Sequence, residues 1–340
     1  AFVQDESPWD LLLRGAVAGV KQFIFAITYH RLRNPPARIA NSFATTRTLF
    51  FPHQFIPLLR FLENPGKRLL IADDVGLERT IEAAYILREL EAQEPLERVL
   101  VLVPARLGPK WKREFEERFH ESFTLVKGSQ LAEAVKAYRR GQELDRFRWI
   151  VSYENATAAV LRAALDGAEL PINLLIADEA HRMRNSETQQ HRIGSALCSG
   201  ADAVVFLSAT PVQNRLEDLW NLFRLLEPDQ FGEWDVFEDQ MRSHRGLLAA
   251  QRDLAAHAPN FVGAREKIVG AVLSWRGETA DIPEFAYSVL DRMSQPHISP
   301  DELAELRADV GRLSPLTHML TRTRKIDAMP NRPVRQARWL

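Results

Sequence analysis

The chain has 340 residues, with 44 Lys and Arg set against 45 Asp and Glu for a formal charge of −1. Hydrophobic residues make up 46% and charged residues 26%, enough for a packed core in one large or two ordinary domains, which excludes a wholly disordered chain. The balanced charge excludes a globally basic nucleic-acid binder, so any such contact rests on a local patch; the single cysteine, Cys198, excludes a disulfide framework and a zinc-finger cluster and suits a reducing compartment.

Residues 1–45 read as an accessory helical segment, with Leu12, Leu13, Val17, Val20, Phe23, Ile24 and Ile27 at mixed helical spacing and Asn34-Pro35-Pro36 as the stop. The apolar run from Ala16 to Thr28 contains Lys21 and Gln22, is too short to cross a bilayer, and lacks a small-residue cleavage site. The first residue is Ala rather than Met, which points to a piece of a longer protein.

Leu49-Phe50-Phe51-Pro52-His53-Gln54 leads into an amphipathic helix through Leu62, and Asn64-Pro65-Gly66 makes a turn. Arg68 to Ala72 reads as a buried strand, Asp73 to Thr80 as a loop, and Ile81 to Glu91 as a helix. A strand, a loop with a glycine and then a helix is the arrangement that cradles phosphate on backbone N–H groups. Buried strands recur at Arg98 to Pro104, Trp149 to Tyr153, Leu174 to Ala177 and Ala203 to Leu207. Helical stretches lie between them at Pro109 to Phe119, Leu131 to Arg139, Ala156 to Leu165 and Ser186 to Leu197. Alternation of this kind predicts an α/β fold with a parallel sheet covered by helices on both faces. The run Leu174 to Ala177 ends abruptly in Asp178-Glu179, at the strand end where open α/β sheets place ligands. From Leu216 onward the pattern turns helical: Leu216 to Leu226, then Phe237 to Ala256, then uneven amphipathic stretches to about 320. Arg322-Thr323-Arg324-Lys325 is a basic run.

Taken in order, His53-Gln54, DDVGLERT (73–80), VLVPARL (101–107), IVSYE (150–154), LLIADEAHRMRN (174–185) and LSATPVQN (207–214) resemble the successive motifs of the first RecA-like lobe of superfamily-two helicases. The wording of DEAH with the following Arg-x-x-Asn, of SATPVQN with LEDLWNLFRLLEPDQF, and of LTRTRKID near 320–327 resembles the Swi/Snf-related DNA translocases. The His-Gln form of the adenine motif is similar to the bacterial RapA-like branch. The resemblance spans about residues 47–330 and implies a RecA-like ATP-binding lobe over 46–228, a helical protrusion over 229–320, and a linker over 321–340 toward a second lobe.

It also implies roles. Gln54 and His53 hydrogen-bond adenine, with Phe50 or Phe51 either near the ring or in the core. Asp74, Gly76, Leu77, Glu78, Arg79 and Thr80 form the phosphate turn, whose backbone N–H groups face the phosphates at a helix N-terminus. Thr80 and Asp178 hold Mg²⁺, the aspartate through water, and Glu179 orients or deprotonates the attacking water. His181, Ser208 and Thr210 couple nucleotide state to motion. Arg106, Ser152, Tyr153, Gln213 and Asn214 touch the DNA backbone, which fixes register without reading sequence; a solvated loop arginine is the alternative for Arg106. The implied ligands are ATP, Mg²⁺ and double-stranded DNA, bound weakly and salt-sensitively by this chain alone, in the bacterial cytoplasm and at the nucleoid when on DNA, with no membrane.

Two departures stand against full activity. The family reads Gly-Leu-Gly-Lys-Thr where this chain reads Gly76-Leu77-Glu78-Arg79-Thr80. Glu78 brings a negative charge worth up to ~4 kcal/mol against a phosphate about 4 Å away at an effective dielectric near 20. Arg79 replaces a compact ammonium with a planar fork. The arginine that the second lobe contributes in this family, worth ~10³ to 10⁵ in rate in related phosphoryl transfers, is also outside this sequence. The expectation is a chain nearly inert in hydrolysis by itself; the alternative reading is a catalytically silent lobe kept as a DNA- or protein-binding module.

Overall fold

The apolar runs at 68–71, 98–103, 147–152, 172–178 and 201–207 become strands. The structure, a computed structural model, describes residues 51–74, 76–208, 215–256, 258–276, 283–295 and 297–323. The expected 1–45 segment, most of the 321–340 linker and the calls on Phe50, Thr210, Gln213 and Asn214 lie outside the described residues. The chain divides into two compact units, which over the described residues are 51–232 with 318–323, and 233–317.

The first unit is an α/β RecA-like fold around a seven-stranded sheet in the order β3-β4-β2-β5-β6-β1-β7. Every pairing is parallel. In chain order the elements are α1 (Ile56–Glu63), β1 (Arg68–Ile71), α2 (Arg79–Gln93), β2 (Arg98–Val103), α3 (Gly108–Phe119), β3 (Thr124–Val126) and α4 (Gly128–Arg139). Next come β4 (Phe147–Ser152), a single turn α5 (Tyr153–Ala156), α6 (Ala159–Leu165), β5 (Ile172–Asp178), α7 (Gln189–Ser199), β6 (Ala201–Leu207), α8 (Leu216–Leu226) and β7 (Leu320–Thr321). Val99 to Val103, Leu174 to Ala177 and Val204 to Leu207 are each 1% exposed or less, as strands with helices on both faces must be. On one side, Phe55 stacks on Tyr85 at 4.3 Å and Trp111, Phe115, Phe119 and Phe123 form an aromatic wall. Each such ring pair adds about 0.5–1.5 kcal/mol beyond the area it buries.

Two strands depart from the sequence expectation. β3 has an exposed Thr124 and Leu125, so no apolar run marks it. β7 is two residues long and falls at the junction between the expected protrusion and linker; it pairs with β1 from 250 residues away, Leu70 with Leu320 and Ile71 with Thr321. Helix ends also moved. The stretch read as one helix over 156–165 is broken between α5 and α6. α7 starts at Gln189 rather than Ser186 because the Thr188 hydroxyl accepts the His191 N–H and so caps the helix there.

The second unit holds four described helices, α9 (Trp234–Ala255), α10 (Phe261–Arg276), α11 (Glu284–Arg292) and α12 (Pro300–Arg312). They enclose a core of their own around Leu247, Leu254, Ile268, Val289, Leu306 and Val310. Ser299 and Glu302 form a capping box that starts α12. No helix among the described residues is long and apolar enough to cross a membrane.

Candidate functional site

Because all seven strands run parallel, the loops that follow β1, β2, β4, β5 and β6 emerge at one end of the sheet. Among the described residues, that end carries Asp73 to Asp74, Gly76 to Thr80, Arg106, Ser152-Tyr153, Asp178-Glu179 and Ser208, in the crevice where α/β sheets take ligands.

The phosphate turn leaves β1 through Asp73 and enters α2 at Arg79, two residues before the sequence reading began the helix. Gly76 has φ 88°, which only glycine adopts without strain. Glu78 also sits in the left-handed region, at φ 60° and ψ 48°. A non-glycine residue there costs roughly 1–2 kcal/mol, so the backbone keeps the shape that the expected glycine would take freely. The Glu78 side chain is turned outward. One carboxylate oxygen lies 3.5 Å from Arg118 and the other 3.4 Å from Gln54 Nε2. The carboxylate is thus partly neutralised at the rim, which reduces the repulsion expected from its charge alone. Leu77 is buried and Thr80 half-buried. The Asp74 N–H donates to the Thr323 carbonyl and the Asp74 carbonyl accepts the Leu77 N–H.

Asp178 ends β5, and Glu179 follows at φ 51° and ψ 46°, a second non-glycine residue in the left-handed region. Held conformations of this kind cluster at sites of function. Asp178 is 7% exposed; burial pushes its carboxyl up, against the lowering effect of the Trp111 hydrogen bond and of Arg79. Glu179 shifts the other way: His181, whose Nδ1 lies 3.2 Å from Oε2, holds its carboxyl below the usual range, and Arg79 adds to the effect. Arg79 Nη2 stands 3.4 Å from Glu179 Oε1, so the phosphate turn and the acidic pair meet directly.

Several buried polar atoms around this crevice have no hydrogen-bond partner among the described residues: His53 Nε2, Gln54 Oε1, Arg79 Nη1 and Ser208 Oγ. Buried polar atoms are rarely left so, and their clustering at the strand ends fits a site built for a polyanionic, hydrogen-bonding ligand. Burial holds His53 below its ordinary value, opposed by Glu78.

The DNA set is divided. Arg106, in the turn Ala105–Leu107, is exposed. The Ser152 hydroxyl is engaged in accepting the Asn155 N–H at 3.1 Å. Tyr153 is 1% exposed and its hydroxyl donates to the Asp178 carbonyl, so this side chain faces inward and is not presented to a DNA strand. The turn itself remains at the surface through Glu154, which accepts from Ala105 N–H and Arg182.

Sequence reasoning missed three residues here. Trp111 donates its indole N–H to Asp178 Oδ2 at 2.9 Å. Glu82, in the first turn of α2, is fully buried facing Asp73, and neither of its oxygens meets a donor in good geometry. Burial first, then the Asp73 charge, holds Glu82 well above the ordinary carboxyl range, and burial also raises Asp73. Thr323 donates its N–H to Asp73 Oδ1 at 2.7 Å, tying the segment after β7 to the start of the phosphate turn. The one available signal was Glu82, a charge set among Ile81, Ala83 and Ala84.

Residues 53–258 match the SNF2-related domain. The chain is 26% identical over 274 residues to an uncharacterized ATP-dependent helicase, YqhH, of Bacillus subtilis, covering 81% of this chain and 45% of that protein. It is 30% identical over 263 residues to the RNA polymerase-associated protein RapA of Actinobacillus succinogenes, covering 72% of this chain and 26% of that protein. The chain therefore spans less than half the length of these curated relatives. Among solved structures, a Sulfolobus solfataricus SWI2/SNF2 ATPase core in complex with dsDNA is similar with a TM-score of 0.46 and 15% identity, over 68% of this chain and 58% of that one.

Proposed function

The chain belongs to the SNF2-related domain family, and from that premise we propose that it is the ATP-binding lobe of a Swi/Snf-type, double-stranded-DNA translocase that acts with a second RecA-like lobe. The observation that carries this reading is the meeting of the two motifs: the turn at the N-terminus of α2 faces Asp178-Glu179 at the end of β5, joined through Arg79 and Glu179.

In this reading Gln54 and His53 take the adenine edge, and the N–H groups from Gly76 to Thr80 with the Arg79 guanidinium take the phosphates. Thr80 and Asp178 hold the magnesium ion, which when bound neutralises phosphate charge. Glu179, kept ionised by His181 and Arg79, orients the attacking water. His181, Ser208 and Thr210 transmit the state of the site, and Arg106, Ser152, Gln213 and Asn214 meet the DNA backbone, with Tyr153 withdrawn from that set by its burial.

A second reading, a catalytically silent lobe retained for binding, is favoured by the two internal contacts of the loop. Glu78 occupies the Gln54 amide, and Arg79 occupies the carboxylate of Glu179. The first reading, and the second where its partner is DNA, predict weak association with duplex DNA through phosphate contacts. Anisotropy of a labelled duplex, read against salt, tests this: the affinity falls on a log–log slope of about −0.9 per phosphate neutralised, and Arg106→Ala makes the slope shallower. Binding that ignores salt contradicts the proposal.

A further inference from the structure

Asp178 is held from three sides. Its Oδ2 accepts from Trp111 Nε1 at 2.9 Å, its Oδ1 accepts the Glu179 N–H at 2.8 Å, and its carbonyl accepts the Tyr153 hydroxyl at 3.0 Å. Trp111 and Tyr153 are each 1% exposed. A buried indole N–H needs an acceptor, and any backbone carbonyl would serve. Here the acceptor is a carboxylate, which makes the bond charge-assisted and roughly twice as strong as a neutral one. The indole also cannot swing away: it packs edge-on against Phe115 at 5.3 Å, which in turn stacks on Phe123 at 4.6 Å. The donor is therefore fixed by the aromatic wall, and the carboxylate conforms to it.

We propose that Trp111 is a positioning residue for the magnesium site: it commits one oxygen of Asp178 and fixes the carboxylate's rotamer before any cation arrives, with Tyr153 fixing the backbone beneath it. Donors behind a metal carboxylate act in this way, and removing one costs about 10- to 100-fold in metal affinity. The magnesium role of Asp178 comes from the functional reading above; the hydrogen bond does not depend on it.

The experiment has one arm for each. In the ligand-free chain with ¹⁵N-labelled tryptophan, the indole resonance lost in Trp111→Phe identifies Trp111. Its protection from solvent exchange falls at least tenfold in Asp178→Ala; unchanged protection overturns the proposal. In the Glu78→Gly/Arg79→Lys chain, Trp111→Phe raises the Mg²⁺ concentration for half-maximal ADP binding about tenfold and leaves ADP affinity in EDTA unchanged. Equal losses with and without Mg²⁺ overturn the positioning role and leave Trp111 as core packing. If that chain binds no ADP at all, the nucleotide reading fails, and the exchange arm still decides whether Trp111 holds Asp178.

Discussion

Two turns in this molecule have the same backbone and opposite use of it. Glu78 and Glu179 each precede a helical turn at the end of a parallel strand, each at positive φ, 60° and 51°. At Glu179 the conformation turns the carboxylate inward, within reach of His181 and Arg79. At Glu78 the same conformation is only what the loop requires of a glycine, and the side chain it carries is displaced to the rim beside Arg118 and Gln54. Strain at Glu179 comes with a carboxylate held against Arg79 and His181. Strain at Glu78, in the first turn along the chain, comes with a carboxylate set against Gln54 and Arg118 at the rim.

The supports under the two turns give the largest test. Tyr85 anchors α2, the helix that follows Glu78, by stacking on Phe55 and meeting Phe119 edge-on. Tyr85→Ala should cost about 3–5 kcal/mol, the usual range for a buried aromatic, read as a loss in urea midpoint. A cost under 1 kcal/mol would show that α2 is held by something other than this stack.

Next is the buried carboxyl pair under the first turn. Glu82 and Asp73 face one another, with Arg79 as the cation and Thr323 as the donor around them. A carboxyl whose folded pKa is raised contributes stability below its unfolded pKa and loses it as pH rises through the folded value. The native chain should therefore lose stability relative to Glu82→Gln as pH rises from the ordinary carboxyl range toward the elevated one. A difference that does not change with pH contradicts the buried pair.

Smaller still is the strain itself. Glu78→Gly should stabilise the chain by about 1 kcal/mol through relief of the left-handed backbone. Glu179→Gly should gain less, because it also deletes the contacts to Arg79 and His181. Equal gains at the two positions would erase the contrast between the turns. Arg118→Ala should change stability by no more than about 0.5 kcal/mol, since its pair with Glu78 is well exposed.

Much of this was legible in the sequence. Unbroken apolar runs such as Val99 to Val103 have one physical solution in an alternating chain, a strand covered on both faces, and the motifs fall at strand ends as a parallel sheet requires. β3 and β7 were not legible, because an exposed edge strand and a two-residue pairing carry no local signal; their partners exist only once the chain has folded. Trp111 reads as one more apolar residue on the buried face of α3, and nothing local says that its N–H ends at Asp178, 67 residues on. Tyr153 was misplaced for the opposite reason: its motif position suggested a surface role, while its ring fills the core under β5. The pairing of Arg79 with Glu179 could be expected only from the resemblance, since opposite charges 100 residues apart have no spacing rule.

The most direct measurement is calorimetric titration of Mg-ATP into the native chain beside a Glu78→Gly/Arg79→Lys version. If the loop's own side chains occupy a true nucleotide site, the native chain gives little or no heat of binding and the reverted chain binds at least tenfold more tightly. Equal affinity in the two would show that Glu78 and Arg79 do not obstruct the site. Absence of binding in both would contradict the nucleotide-lobe account itself.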